Sequence, residues 1–186
     1  MSKLAVLFPG IGYTCDKPLL YYSGKLLKSL DYVIIPVQYT CFTENVKKDP
    51  ARMQKAAHMA LEQAEEILDH VEWADYNEIL FVSKSLGTVV SSAYAQRHRI
   101  PCRQILFTPV EAAFQFAGRN AIAFHGTKDP VANTAVIEEN CRRLKIMLYE
   151  TDAANHSLET GDVDTDIKAL RKIMKIVREY AVQAVQ

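Results

Sequence analysis

The sequence predicts an α/β fold: a three-layer αβα sandwich around a mostly parallel, doubly wound sheet of about six strands. Three observations predict it. Short apolar runs alternate with helix-period segments from one end of the chain to the other. The runs are continuous, not alternating, which is the pattern of strands covered on both faces. The length of 186 residues fits one domain over 1–186 and leaves little room for a second.

The first run is Leu4-Ala5-Val6-Leu7-Phe8, closed by Pro9-Gly10-Ile11-Gly12. The second is Tyr32-Val33-Ile34-Ile35-Pro36-Val37, rich in β-branched residues. Ile79–Val82, Arg103–Phe107, Ala121–Phe124 and Ile146–Tyr149 follow. Between them lie helices. Residues 51–71 carry Met53, Ala56, Ala60, Ala64, Ile67 and Val71 at steps of three and four, which makes one buried stripe. The final helix repeats the stripe with Val163, Ile167, Leu170, Ile173 and Val177. Its first turn holds Asp162, Asp164 and Asp166, its later turns Lys172, Lys175 and Arg178, as the helix dipole favours. Shorter helices are expected over 18–29, 86–98 and 134–143. Residues 108–120 read as a short helix or a flap.

Composition narrows the function classes. Hydrophobic residues are 49% and charged residues 24%, which is globular and excludes disordered or collagen-like chains. Lys plus Arg and Asp plus Glu are both 22, so net charge is zero and no basic footprint for nucleic acid exists. The opening apolar run is too short for a membrane span or a secretory leader. Cys15, Cys41, Cys102 and Cys141 are widely separated, which fits isolated thiols in a reducing, cytoplasmic setting.

In a doubly wound sheet, ligands bind beyond the carboxyl ends of the strands. Three segments there carry chemistry. Ser83-Lys84-Ser85-Leu86-Gly87 puts a serine on a strand-to-helix turn between small residues, close to G-x-S-x-G with Ser83 for the first glycine. The bland alternative is a serine that caps the next helix. His125-Gly126-Thr127-Lys128-Asp129-Pro130 places a carboxylate just past a strand, or simply an Asp in a turn. Asn155-His156-Ser157-Leu158-Glu159 places an imidazole in a loop. Together they give the chain order Ser85, Asp129, His156, the nucleophile–acid–base order.

These segments resemble the α/β-hydrolase superfamily, specifically its small, lidless members, from Leu4 to about Tyr180. The resemblance implies a minimal α/β-hydrolase fold, without the family's usual antiparallel N-terminal strands. It implies a serine hydrolase that cleaves a small carboxylic ester or thioester, with amide cleavage as a variant. Ser85 would be the nucleophile, His156 the base and Asp129 its orienting acid. The N–H groups of Leu86 and Ile11, in the Pro9–Gly12 loop, would form the oxyanion hole.

No cofactor and no metal enter this scheme. The histidines form no ligand cluster, and Gly10-Ile11-Gly12 lacks the third glycine of a dinucleotide site. The expected partner is a small-molecule ester-type substrate, with no nucleic acid and no membrane; a homodimer is left open. His58, His70 and His98 read as surface residues and His125 as structural. Tyr13 and Tyr39 could border the cleft, while Val110, Phe114 and Phe116 fit an acyl pocket or the core equally. The alternative function is a catalytically weak or inactive binding protein on the same fold, suggested by Ser83 in the turn and Pro9 in the loop.

Overall fold

Each apolar run forms a strand, and the helix-period segments between them form helices. The computed structural model describes residues 2–40 and 50–183. The strands are β1 (Lys3–Phe8), β2 (Tyr32–Pro36), β3 (Glu78–Lys84), β4 (Arg103–Phe107), β5 (Ala121–Gly126) and β6 (Met147–Thr151). They make one six-stranded sheet in the order β2-β1-β3-β4-β5-β6. Every pairing is parallel. The helices are α1 (Pro18–Lys28), α2 (Pro50–Leu68), α3 (Leu86–Arg97), α4 (Thr134–Leu144) and α5 (Val163–Val182).

Strand side chains alternate between two cores. Ala5, Leu7, Leu80, Val82, Ile105 and Phe107 face α1 and α5, where they meet Leu20, Leu27, Ile173 and Val177. Their neighbours Leu4, Val6, Phe8, Ile79 and Phe81 face α2 and α3, against Ala60, Ala64, Val90 and Tyr94. Leu106 and Ala123 continue that second face under Phe114 and Ile137 of α4. This is the three-layer sandwich, with apolar burial on both faces as its main driving force. The alanine stripe of α2 lets that helix pack closely against α3.

Several local expectations change. The helix expected to run to residue 71 ends at Leu68, and Val71 donates its N–H back to Leu68 O at 3.0 Å. The last helix, whose end the sequence left open, runs through Val182, with Ala181, 1% exposed, on its buried stripe. Within 108–120, Glu111–Gln115 forms a short 3-10 helix. Phe114 lies in the core. Phe116 lines a cavity of about 330 Å³ shared with Gln104 and Asn120, at the amino ends of β4 and β5, so it does not form an acyl pocket beside Ser85. Cys15, Cys102 and Cys141 are free thiols, and Cys41 lies outside the described residues. No described helix is long and apolar enough to cross a membrane.

The strand order sets where a ligand can sit. The chain leaves β1 toward β2 on one side and returns to β3 on the other. That reversal opens a crevice above the carboxyl ends of β1 and β3. The Pro9–Gly12 loop and the Ser85 turn both rise from those ends.

Candidate active site

Ser85 occupies the single residue between β3 and α3. Its φ of 55° and ψ of −122° lie outside the regions an L-residue normally adopts. Three hydrogen bonds to its backbone hold it there, one of them from the Thr88 hydroxyl to the Ser85 carbonyl at 2.6 Å. Its N–H donates to Phe107 O at 3.0 Å, and its carbonyl accepts from Thr88 N at 2.9 Å. The small residues around it have distinct jobs. Ser83 is fully buried and donates its hydroxyl to Ile105 O at 3.3 Å, so a serine fits where the motif has its first glycine. Gly87 has no such freedom: a Cβ there would come within 2.2 Å of Phe8 O and 2.5 Å of Pro9 O. The missing side chain is what lets the Ser85 turn dock on the loop after β1.

That loop is a tight turn, with Gly10 N and Tyr13 O 3.0 Å apart. A Cβ on Gly10 would lie 3.0 Å from Ser85 Cβ, so the loop backbone sits directly against the serine. Neither the Ile11 nor the Leu86 N–H is taken up by a backbone hydrogen bond among the described residues. Leu86 opens α3, where the first N–H groups have no helical partner and the dipole is positive.

The second close approach is at β5. A Cβ on Gly126 would come within 2.4 Å of Ala154 O and 2.5 Å of Asn155 O. The segment after β5 therefore packs against the loop after β6. Thr127 N to Thr151 O (3.1 Å) and Lys128 N to Ala154 O (2.9 Å) lace the two together. The Asn155 side chain shapes the loop by accepting from Ser157 N at 2.7 Å and Glu159 N at 3.3 Å.

The result is one chain of polar contacts. Asp129 Oδ2 lies 2.7 Å from His156 Nδ1, and His156 Nε2 lies 2.8 Å from Ser85 Oγ. The other oxygen, Oδ1, accepts from Val131 N at 2.8 Å and Ala132 N at 3.4 Å. The Asp129 side chain is completely buried, while that of His156 is 18% exposed. Burial works to raise the Asp129 pKa, but the hydrogen bond and charge of His156 and the Val131 N–H outweigh it. The carboxyl therefore lies below its ordinary 3.8 and is ionised at neutral pH.

Two polar groups on this edge, Lys84 and Thr108, were not singled out by the sequence. Lys84, inside the serine turn, is 1% exposed and sets its ammonium over the Tyr13 ring, 4.9 Å from the centroid. Tyr13 is thus packed beneath the turn, its hydroxyl accepting from Leu19 N at 3.1 Å. Tyr39 is partly buried against the α2–α3 core. Thr108, at the end of β4, is fully buried with a φ of 40°, and its hydroxyl lacks a hydrogen-bond partner among the described residues. His125 lies behind Asp129. His58, His70 and His98 are exposed on the surface. Among the described residues no group of His, Cys, Asp and Glu is arranged to hold a metal ion. Burial pushes the thiols of Cys15, Cys102 and Cys141 up to about 12, so each is protonated at neutral pH.

No protein-family model matches the chain, and no curated protein matches it by sequence. Solved structures do. Est1E from Butyrivibrio proteoclasticus, solved with ferulic acid bound, superposes with a TM-score of 0.68 at 10% identity, over 96% of this chain and 87% of its own. The fold is that of the α/β-hydrolases. A lidless α/β serine hydrolase from Xanthomonas campestris matches over 100% of this chain and 86% of its own, with a TM-score of 0.62 and 10% identity. An alpha-beta serine hydrolase homologue from Coxiella burnetii matches over 96% and 84%, with a TM-score of 0.66 and 13% identity. At such identities the likeness is one of α/β-hydrolase architecture.

Proposed function

We propose that the chain is a serine hydrolase that cleaves a small carboxylic ester or thioester through an acyl-enzyme on Ser85. The observation that carries this reading is the unbroken relay from Asp129 through His156 to Ser85, with contacts of 2.7 and 2.8 Å.

The chemistry follows from the contacts. A serine hydroxyl is a weak nucleophile until a base takes its proton. Neutral His156 takes it at Nε2 as Oγ attacks the substrate carbonyl. Asp129 holds the Nδ1–H tautomer and stabilises the imidazolium that forms. The oxyanion accepts the Leu86 and Ile11 N–H groups; losing one such donor costs on the order of 10²–10³ in rate in a comparable enzyme. His156 returns the proton to the departing alcohol or thiol, leaving the acyl group on Ser85. Water then attacks that ester by the same route, releasing the acid and restoring Ser85–OH. The neighbour Est1E, holding ferulic acid, is consistent with a carboxylic acid as product.

A fluorophosphonate probe tests the reading, because attack by Ser85 Oγ displaces fluoride and leaves a stable phosphonyl serine. Labelling is expected on Ser85, absent in Ser85→Ala and strongly reduced in His156→Ala. Folded wild-type protein that takes no label supports the binding-protein alternative instead.

A further inference from the structure

We infer that His125 is a positioning residue for Asp129, holding its Nδ1–H against the same carboxylate oxygen that His156 contacts. This rests on the hydrolase reading for its catalytic consequence, but its geometry stands alone. His125 is fully buried at the end of β5. Its Nε2 lies 3.0 Å from the Thr134 hydroxyl at the start of α4. Its Nδ1 lies 3.8 Å from Asp129 Oδ2 and has no hydrogen-bond partner among the described residues. The same Oδ2 therefore faces two imidazoles, one at 2.7 Å and one at 3.8 Å.

The tautomer of His125 decides what this contact does. With the proton on Nε2, the ring would donate to Thr134, and the Nδ1 lone pair would face an ionised oxygen in a buried site. Two electron-rich atoms would then repel at low dielectric. With the proton on Nδ1, the Thr134 hydroxyl rotates to donate to Nε2, and the N–H dipole points at the carboxylate. A hydroxyl is free to make that rotation. Electrostatics selects the Nδ1–H form. Burial keeps the ring neutral, outweighing the pull of Asp129, so its pKa lies below the ordinary 6.5.

The 3.8 Å separation is longer than a hydrogen bond, so the contact is a dipole against a charge. Its effect is to fix orientation. Val131 and Ala132 hold Oδ1, while His156 and His125 both face Oδ2. The carboxylate cannot swing away as His156 becomes charged.

The test compares wild type, His125→Asn and His125→Leu. Asparagine returns an N–H near the Nδ1 position, and leucine fills similar space without a donor. Nitrogen-15 imidazole spectra of the wild type are expected to show His125 protonated on Nδ1 with Nε2 as acceptor. The fluorophosphonate labelling rate is expected to fall about tenfold in His125→Leu, below the roughly hundredfold of a full 1 Å misplacement, and to recover in His125→Asn. Thermal melts restrict the comparison to folded protein. An Nε2–H tautomer, or equal rates in His125→Leu and wild type, overturns the inference. Equal loss in both variants also overturns it, since packing alone would then explain the effect. Wild-type protein with the Nδ1–H tautomer but no labelling overturns the hydrolase reading and leaves the placement of Asp129 standing.

Discussion

At the amino end of the sheet, Arg103 satisfies nearly everything within its reach. It donates to Tyr180 O at 2.6 Å, Ala181 O at 3.1 Å and Gln183 O at 3.1 Å, capping the last turn of α5. It also pairs with Glu78 at 3.5 Å, and Glu78 accepts from the Tyr32 hydroxyl at 2.9 Å. At the carboxyl end, Ser85 and Thr108 hold positive φ, and Thr108 Oγ1 and His125 Nδ1 are buried without hydrogen-bond partners among the described residues. Positive φ also occurs at the amino end, at Asp31, Arg99 and Lys145, so what sets the carboxyl end apart is the φ 55°, ψ −122° backbone of Ser85 together with these buried polar atoms. Strain and unmet polar groups persist only where the surroundings over-determine them, and they gather at functional sites. On the proposed hydrolase reading, the difference teaches that stability and chemistry are separable, one to each end.

The sharpest way to break that separation is at the two close approaches. Gly87→Ala and Gly126→Ala would each push a methyl into backbone at 2.2–2.5 Å. Each is expected to cost about 3 kcal/mol in urea unfolding. The same backbone shift should lower serine labelling by roughly a hundredfold or more. Full labelling in either destabilised variant would mean that the approach only packs the fold and does not place the reacting groups.

Arg103→Met tests the other end. Removing charge-assisted bonds to α5 and Glu78 is expected to cost about 2 kcal/mol. Labelling per folded molecule should be unchanged, because Arg103 touches nothing at the carboxyl edge. A parallel fall in labelling would show that the two ends are coupled.

These tests also mark what the sequence made legible. Strand positions were readable because buried parallel strands are unbroken apolar runs, as in Leu4–Phe8 and Ile79–Val82. The relay residues were readable because parallel topology brings every strand's carboxyl end to one edge. Ser85 and His156 meet although 71 positions apart. The role of Gly126 was not readable: it depends on where the loop after β6 passes, and the residues alone do not give its path. His125 was hidden for the same reason. Its contact with Asp129 is an i,i+4 pair across a turn, and no helical or strand period predicts which way such a turn folds. The residues alone set no end for α5, because Ala181 is a weak apolar signal that packing makes decisive.

A smaller effect follows from pH. His125 is held neutral, with its pKa below 6.5, so the unfolded chain binds the extra proton first as pH falls. Stability is therefore full above that value and declines as pH drops below it. Asp129 adds a second decline farther down. Its stabilisation is present above 3.8 and is lost as pH falls through its depressed folded value. Urea midpoints measured from about pH 7 to pH 5 should fall for wild type and flatten in His125→Leu. An identical slope in both would remove His125 as the source and weaken the case for a strained carboxyl end.

The smallest expected effect isolates the strain itself. Ser85→Ala and Ser85→Gly both remove the hydroxyl and its 2.8 Å contact with His156, so both should abolish labelling. They differ in the backbone. At an ordinary position glycine is less stable than alanine by roughly 0.5–1 kcal/mol, because it loses more freedom on folding. At φ 55° and ψ −122° alanine keeps the strain of a side chain, of order 1–3 kcal/mol, and glycine releases it. The sign should reverse, with Ser85→Gly more stable than Ser85→Ala by about 1 kcal/mol, or roughly 2–4 °C in melting temperature for a chain of this size. Equal melting temperatures, or alanine the more stable, would mean that the turn carries no stored strain. The contrast between the two ends of the sheet would then rest on its unpaired polar atoms alone.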